Sequence, residues 1–167
     1  MIYLTSVLTA SHDRQSFSCG KEMLDDYLHK QAKQDIKRKL AACFIMSDDG
    51  IEIKGYYTLS STSISREILP ENIIKKLPPN YKNLPATLLG RLAVNEKFKG
   101  KGLGTLLLMD ALKRSFDNIE TVASMAVIVD PLGDEAIKFY EHFGFILLPG
   151  SGKMFIPMTQ LKMLFNK

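Results

Sequence analysis

The spacing of apolar residues predicts a long amphipathic helix near the start of the chain. After the turn-forming run Ser18-Cys19-Gly20, the segment KEMLDDYLHKQAKQDIKRKL carries apolar residues at helical spacing. The residues expected on its buried face are Leu24, Tyr27, Leu28, Ala32 and Ile36. Three lysines at positions i, i+3 and i+7 fall on the opposite face, namely Lys30, Lys33 and Lys37. The solvent face of this helix is therefore basic.

The rest of the chain alternates between strand and helix patterns. Strands are expected over residues 42–46, 53–62, 84–94, 121–129, 145–148 and 154–157. Helices are expected over residues 70–77, 103–116 and 135–143. A bulge is expected near Gly90, which interrupts the third strand. Since no repeat or linker divides the sequence, this order predicts one mixed α/β domain over residues 1–167.

The composition is that of a folded globular protein, with 46% hydrophobic and 24% charged residues among 167. Cys19 and Cys43 are too few for a disulfide framework and lack the spacing of a zinc site, so no metal is expected. No apolar run approaches the ~18 residues that cross a membrane. The N-terminus also lacks a basic region before its apolar stretch, and we therefore expect a cytoplasmic protein without a membrane partner. The net charge of +4 permits a polyanionic partner without requiring one.

A glycine-rich loop between a predicted strand and a predicted helix is the most informative segment. Its sequence is Lys99-Gly100-Lys101-Gly102-Leu103-Gly104-Thr105. Glycines allow a ligand to approach the backbone closely, and the N–H groups at a helix start favour an anion such as a phosphate. Neither the Walker pattern nor the dinucleotide fingerprint fits the positions of these glycines. The alternative is a solvated turn with incidental lysines.

The second informative segment is the predicted helix over residues 135–143. Ala136, Phe139, Tyr140 and Phe143 share one face of it. Tyr140 either packs in the core with a wet hydroxyl or serves chemistry at the site that the glycine loop forms.

Together the two segments resemble the GCN5-related N-acetyltransferase (GNAT) superfamily. Its acetyl-CoA signature, Arg/Gln-x-x-Gly-x-Gly/Ala, is similar to residues 99–104, where Lys99 keeps the charge but lacks the planar fork of Arg. Its closing segment, Asn-x-x-Ala-x-x-Phe-Tyr-x-x-x-Gly-Phe, is similar to residues 133–145, where Gly133 stands in place of Asn. The resemblance implies the GNAT fold, a mixed and mostly antiparallel sheet with splayed central parallel strands, flanked by helices.

A narrower resemblance covers about residues 17–157. The runs FSCG, LDDYL, LGRLAV and FYEHFGF are similar to the acetyltransferase toxins of bacterial toxin–antitoxin pairs. That resemblance implies an acetyl-CoA-dependent toxin that acetylates the amino group of aminoacyl-tRNA and so blocks translation. It also implies a ribbon-helix-helix antitoxin as partner and a homodimer. Two alternatives stay open, namely a GNAT enzyme for a small amine or protein lysine, and a non-catalytic acetyl-CoA-binding module.

The resemblance also implies roles for individual residues. Those expected to bind acetyl-CoA are Leu92, Ala93, Val94, Lys99, Gly100, Lys101, Gly102, Leu103, Gly104 and Thr105. Tyr140 is the candidate general acid for the departing thiolate, since an ordinary tyrosine with a pKa of ~10 stays protonated at neutral pH. Candidates for tRNA contact are Lys30, Lys33, Lys37 and Arg91. The alternative for the three lysines is an ordinary solvated helix face, and the alternative for Arg91 is contact with carboxylates of the antitoxin. Of the histidines, His142 is expected to point away from the site, and His12 and His29 are expected at the surface.

Overall fold

The structure is a computed structural model that describes residues 2–166. Its strands are β1 (Ser6–Val7), β2 (Ala42–Met46), β3 (Gly55–Ser65), β4 (Asn83–Val94), β5 (Ala126–Val129), β6 (Ile146–Leu147) and β7 (Met154–Pro157). Its α-helices are α1 (Glu22–Asp26), α2 (Ala32–Lys37), α3 (Glu71–Ile74), α4 (Leu103–Asp117), α5 (Asp134–His142) and α6 (Met158–Phe165). A π turn (Tyr27–Gln31) joins α1 to α2, and short 3-10 helices span Arg66–Ile68 and Glu96–Phe98.

The strands form one seven-stranded sheet in the order β1-β2-β3-β4-β5-β7-β6. The pairs β1–β2, β2–β3, β5–β7 and β6–β7 are antiparallel. Strands β4 and β5 are parallel, in the register Thr87↔Val127 and Leu88↔Ile128. The expected mixed and mostly antiparallel sheet flanked by helices is thus confirmed.

The chain divides into two compact units. The first contains the residues up to Ser60 together with Leu89–Arg114. Its core packs the helix that follows Lys21 against β2 and β3, through buried side chains such as Phe17, Leu28 and Tyr56. The second unit contains Ser61–Leu88 and the residues from Ser115 onward.

The second unit has its own buried cluster, built on the strands β5 and β7. Ala126 and Ile128 of β5 and Phe155 of β7 are almost fully buried, and Leu69, Leu84 and Leu148 pack with them. Strand β5 is buried at all four positions, which is the pattern expected for a central strand covered on both faces. That one domain spans residues 1–167 stays a prediction.

The predicted elements are present, with shifted ends in several places. The strand expected over 121–129 begins only at Ala126, because Thr121 and Val122 form a turn whose N–H groups donate to the Asn118 carbonyl. Strand β4 runs without interruption past Gly90, although its buried positions change phase between Ala86 and Leu89. The sequence did not predict the two-residue strand β1, the helix α6 or the two 3-10 helices.

The first predicted helix contains an irregularity that its sequence pattern did not indicate. The π turn makes Tyr27 and Asp35 lie on the same buried face, where the Tyr27 hydroxyl donates to the Asp35 carboxylate over 2.9 Å. Eight residues exceed two regular turns, which take about 7.2 residues, so an ordinary helix would rotate Asp35 away. The wider π turn absorbs the difference. Within residues 2–166, no helix combines the length and the apolarity that crossing a membrane requires.

Candidate active site

The glycine loop is held at its beginning by Asn95, which follows the last residue of β4. The Asn95 backbone N–H donates to the Lys54 carbonyl over 2.8 Å, and its side-chain amide donates to the Ile53 carbonyl over 3.0 Å. Its side-chain oxygen accepts the Lys97 N–H over 3.1 Å, which caps the 3-10 helix Glu96–Phe98. Asn95 is 4% exposed, so this short side chain fixes where the loop leaves the sheet.

Two glycines in the loop adopt a backbone conformation that other residues rarely accept. Gly100 has φ of +79° and Gly102 has φ of +77°, and at both positions a β-carbon would meet no atom within 4 Å. The requirement for glycine is therefore conformational, and the space beside the backbone is open to a ligand. Immediately afterwards the 15-residue helix α4 begins at Leu103, and the Leu106 N–H donates to the Gly102 carbonyl over 3.2 Å. The loop thus meets the two requirements predicted for a phosphate site, open backbone and a helix start.

Gly55 on β3 allows α4 to pack closely against the sheet. A β-carbon at this position would lie 2.6 Å from a methyl carbon of Leu107 and 2.9 Å from the Ala93 carbonyl oxygen. Sequence reasoning did not single out Gly55, since a glycine in a strand has no signature of its own. A substitution here would push α4 away from β4 and displace the glycine loop between them.

The three lysines of the loop region have different partners. The Lys97 ammonium forms an ion pair with Glu52 at 3.1 Å. The Lys99 ammonium donates to the Cys19 backbone carbonyl over 2.6 Å. The Lys101 ammonium lies 5.6 Å from the centre of the Phe98 ring. Three positive charges therefore lie in or next to the glycine loop. The hydrogen bond of Lys99 also connects the loop to the segment before α1.

Tyr140 lies in the second unit, near the end of α5. Its side chain is 9% exposed and packs against the rings of Phe139 and Phe145, with ring centres 5.2 and 5.1 Å away. Burial raises the pKa of its hydroxyl to about 12. Within residues 2–166 the hydroxyl has no hydrogen-bond partner. Tyr140 therefore keeps its proton over the physiological range and holds it free for an external acceptor.

Gly133 immediately precedes helix α5, at a position where the resemblance expects Asn. Gly133 has φ of +86°, and its carbonyl accepts the Ile137 N–H over 3.1 Å. A β-carbon at Gly133 would meet nothing within 4 Å. The glycine suits the left-handed backbone, and no side chain caps this helix start.

The candidate tRNA contacts all lie in the first unit. Lys30, Lys33 and Lys37 are exposed on the helix, as their spacing predicts, and Lys30 lies 3.5 Å from Asp26. Arg91 is half-buried on β4, and its guanidinium carbon lies 3.5 Å from the centre of the Tyr27 ring.

The expectation that His12 lies at the surface was wrong. His12 is 8% exposed, and its Nδ1 accepts the Thr9 N–H over 3.0 Å. His29 is half-buried and donates to the Phe17 carbonyl over 2.7 Å. Both histidines fix backbone in loops, a role that leaves no mark in the sequence pattern. His142 is exposed beside Phe143.

A buried polar cluster on α4 was also missed. The Asp110 carboxylate is buried and accepts hydrogen bonds from the Leu4 N–H and from the Thr5 and Tyr57 hydroxyls. Arg114, one turn later, donates to the Thr5 carbonyl over 2.7 Å and to the Tyr57 hydroxyl over 2.9 Å. The cluster connects residues 4 and 5 to α4. None of its residues has a role in the acetyl transfer that the sequence predicts. In the part of the chain that the structure describes, no three His, Cys, Asp or Glu residues gather as metal ligands would.

Comparison with known proteins identifies the family. The family model described as Acetyltransferase (GNAT) family matches residues 21–145, well over half of the chain. This chain is a GNAT acetyltransferase-family member. The match includes the glycine loop, β5 and Tyr140, and it confirms the resemblance that these segments carry.

Individual GNAT relatives resemble the chain over most of its length. A protein of Mycobacterium tuberculosis (strain ATCC 25618 / H37Rv) named "tRNA-acetylating toxin" is 37% identical over 142 residues, which are 85% of this chain and 83% of the relative. Among solved structures, AtaT complexed with acetyl-methionyl-tRNAfMet is 31% identical, with a TM-score of 0.88 over 96% of this chain and 98% of that chain. A tyrosine-to-phenylalanine mutant of AtaT, bound to the C-terminus of the antitoxin AtaR and acetyl-CoA, is 27% identical, with a TM-score of 0.81 over 98% of this chain and 97% of that chain.

Proposed function

We propose that this GNAT protein transfers the acetyl group of acetyl-CoA to the amino group of aminoacyl-tRNA and acts as a toxin that blocks translation. The observation that carries the proposal is the 37% identity to a tRNA-acetylating toxin over 85% of the chain. The likeness to AtaT, solved with an acetylated methionyl-tRNA, supports the same substrate class.

Acetyl-CoA supplies the acetyl group as an activated thioester. Its pyrophosphate would lie on the backbone N–H groups of residues 99–105, where Gly100 and Gly102 keep the chain open and α4 begins. Backbone groups of residues 92–94 would bind the pantetheine amides. These three residues lie beyond the two β4 residues, Thr87 and Leu88, that pair with β5.

Tyr140 would act as the general acid. When the amine attacks the thioester carbonyl, a C–N bond forms and the C–S bond breaks, and the departing thiolate needs one proton. The free and protonated Tyr140 hydroxyl can give that proton and recover it from the amine that has just been acylated. An α-amino group has a pKa of roughly 7.7–8.0, so much of the substrate amine is already neutral and needs no strong base.

The basic helix would supply the tRNA contacts. Lys30, Lys33 and Lys37 are exposed and would neutralise backbone phosphates, and Arg91 would add a contact from β4. Since aminoacyl-tRNA is the proposed substrate, the protein would act in the cytoplasm. Residues 1–167 would form a single domain. We further propose a ribbon-helix-helix antitoxin as partner and a homodimer as the active form. The AtaT structure with the C-terminus of AtaR supports an antitoxin partner in general.

An acetyl-transfer assay tests this proposal. The protein is incubated with labelled acetyl-CoA and either charged or uncharged tRNA, with the wild type beside Tyr140→Phe. We expect label only in charged tRNA and a rate loss of about 10²–10⁴-fold in the mutant, the usual contribution of a general acid. If acetyl-CoA binds but charged tRNA carries no label, the assignment of aminoacyl-tRNA as the substrate is wrong. Small amines and protein lysines would then be tested as substrates. An unchanged rate for Tyr140→Phe would overturn the role of this residue.

A further inference from the structure

Arg91 differs from the other partly buried arginines. Arg14 donates to the Leu28 and His29 carbonyls, Arg66 donates to three backbone carbonyls, and Arg114 donates to Thr5 and Tyr57. For Arg91, no oxygen atom of residues 2–166 accepts a hydrogen bond from the guanidinium group. A guanidinium carries five N–H donors, so the donors of Arg91 are available to an external acceptor.

The ring beneath Arg91 is fixed from two sides. Tyr27 is 4% exposed, and its hydroxyl donates to the buried Asp35 carboxylate over 2.9 Å. Its ring stacks on Tyr56 with centres 6.4 Å apart, and the Tyr56 hydroxyl donates to the Leu24 carbonyl over 2.7 Å. The π turn is what puts Tyr27 and Asp35 on one face. π turns in helices occur frequently at functional sites, and we therefore attribute this π turn to a functional role of Tyr27.

We propose that Tyr27, fixed by Asp35 and Tyr56, is a positioning residue that presents the free N–H fork of Arg91 to two oxygens of one RNA phosphate. The proposal rests on the proposed function and deepens it. A guanidinium stacked on a ring keeps its in-plane N–H groups directed outward, and this planar fork matches a phosphate bidentately. Exposed lysines lie on the helix that carries Tyr27, and several positive charges favour the phosphate backbone of a nucleic acid over a single protein carboxylate as the ligand.

A double-mutant cycle on equilibrium tRNA binding tests the positioning role. Arg91→Lys keeps the charge and loses the fork, and Tyr27→Leu removes the ring. We expect each to weaken charged-tRNA binding about tenfold, and the double variant to be no weaker than either, because both remove one contact. Tyr27→Phe keeps the ring and should bind within about threefold of the wild type. Acetyl-CoA affinity should stay unchanged in all four, and Tyr81→Leu, an exposed tyrosine of the second unit, serves as the control.

Losses that multiply in the double variant, or an Arg91→Lys protein that binds like the wild type, would overturn the proposal. A merely structural role for Tyr27 would also lower acetyl-CoA affinity, which separates the two explanations.

An NMR measurement needs neither acetyl transfer nor a folded Tyr27→Leu variant. In wild-type protein with 15N-labelled arginine, the Arg91 Nε–H signal should shift on addition of millimolar inorganic phosphate, while the Arg114 signal should not. If Arg91 responds but charged tRNA is not acetylated, the proposed function fails and the phosphate contact stands. If a glutamate-rich peptide shifts the signal and phosphate does not, the ligand is an acidic protein segment and the RNA phosphate proposal is wrong.

Discussion

At the level of single residues, Tyr140 makes the pH dependence of the reaction predictable. Burial raises its pKa to about 12, so its acid form is present at lower pH and is lost only as the pH rises through that value. The substrate amine must instead be neutral, so the rate should rise with pH through the amine's pKa of roughly 7.7–8.0 and level off above it. Single-turnover rates between pH 6 and pH 10 should therefore rise and stay flat. An unperturbed tyrosine with a pKa of ~10 would already halve the rate at pH 10.

A falling limb centred near pH 9 to 10 in the wild type would contradict this role of burial. Tyr140→Phe provides the control, because its slower reaction should keep the same rising limb, which belongs to the substrate.

Asp110 is a residue whose removal should affect stability. Its buried carboxylate accepts three hydrogen bonds, from Leu4, Thr5 and Tyr57. Asp110→Ala would leave these donors unsatisfied and should lower the free energy of unfolding by about 2–4 kcal/mol. Asp48→Ala, which removes a carboxylate that is 83% exposed, should change it by less than about 0.5 kcal/mol. Urea denaturation measures both, and a loss below about 1 kcal/mol for Asp110→Ala would show that the cluster contributes little.

At the level of elements, the glycine loop offers a matched pair of substitutions. Gly102 and Gly50 both have φ of +77°, and a β-carbon on either would meet no atom within 4 Å. Gly102→Ala and Gly50→Ala should therefore cost a similar backbone strain of about 1–2 kcal/mol. Only Gly102 lies in the proposed pyrophosphate site, so Gly102→Ala should weaken acetyl-CoA binding about tenfold by calorimetry and Gly50→Ala should not.

Equal acetyl-CoA affinities for the two variants would mean that the loop backbone does not bind the cofactor. Thermal unfolding of both proteins checks the assumption that their strain is similar.

The helices and strands also show which parts of the fold could be predicted from the sequence alone. Long periodic segments were predicted well, since the helices α4 and α5 begin and end within one residue of the expected positions. The π turn was not, because the apolar spacing of the first helix fits a regular helix and Asp35 is an unexpected buried residue. Helix α6 follows β7 directly at Pro157, without the polar linker that would mark a new element. Residues whose role depends on a distant contact, such as Gly55 and Asp110, have no local signal.

At the level of the whole molecule, net charge and charge position make different predictions for tRNA binding. Changing Lys30, Lys33 and Lys37 to Glu lowers the formal net charge from +4 by six, to −2. The same change at three exposed lysines of the second unit, Lys75, Lys76 and Lys82, gives the same net charge.

If the helix binds phosphates directly, only the first triple variant should reduce the slope of log K against log salt, by about 0.7–0.9 for each phosphate that is no longer neutralised. The second variant acts only through the long-range field, which is screened beyond about 8 Å at physiological ionic strength. Its binding should therefore approach that of the wild type as salt increases. Equal slopes and equally weakened binding in the two variants would mean that tRNA responds to the total charge, and the basic helix would then be an ordinary solvated face.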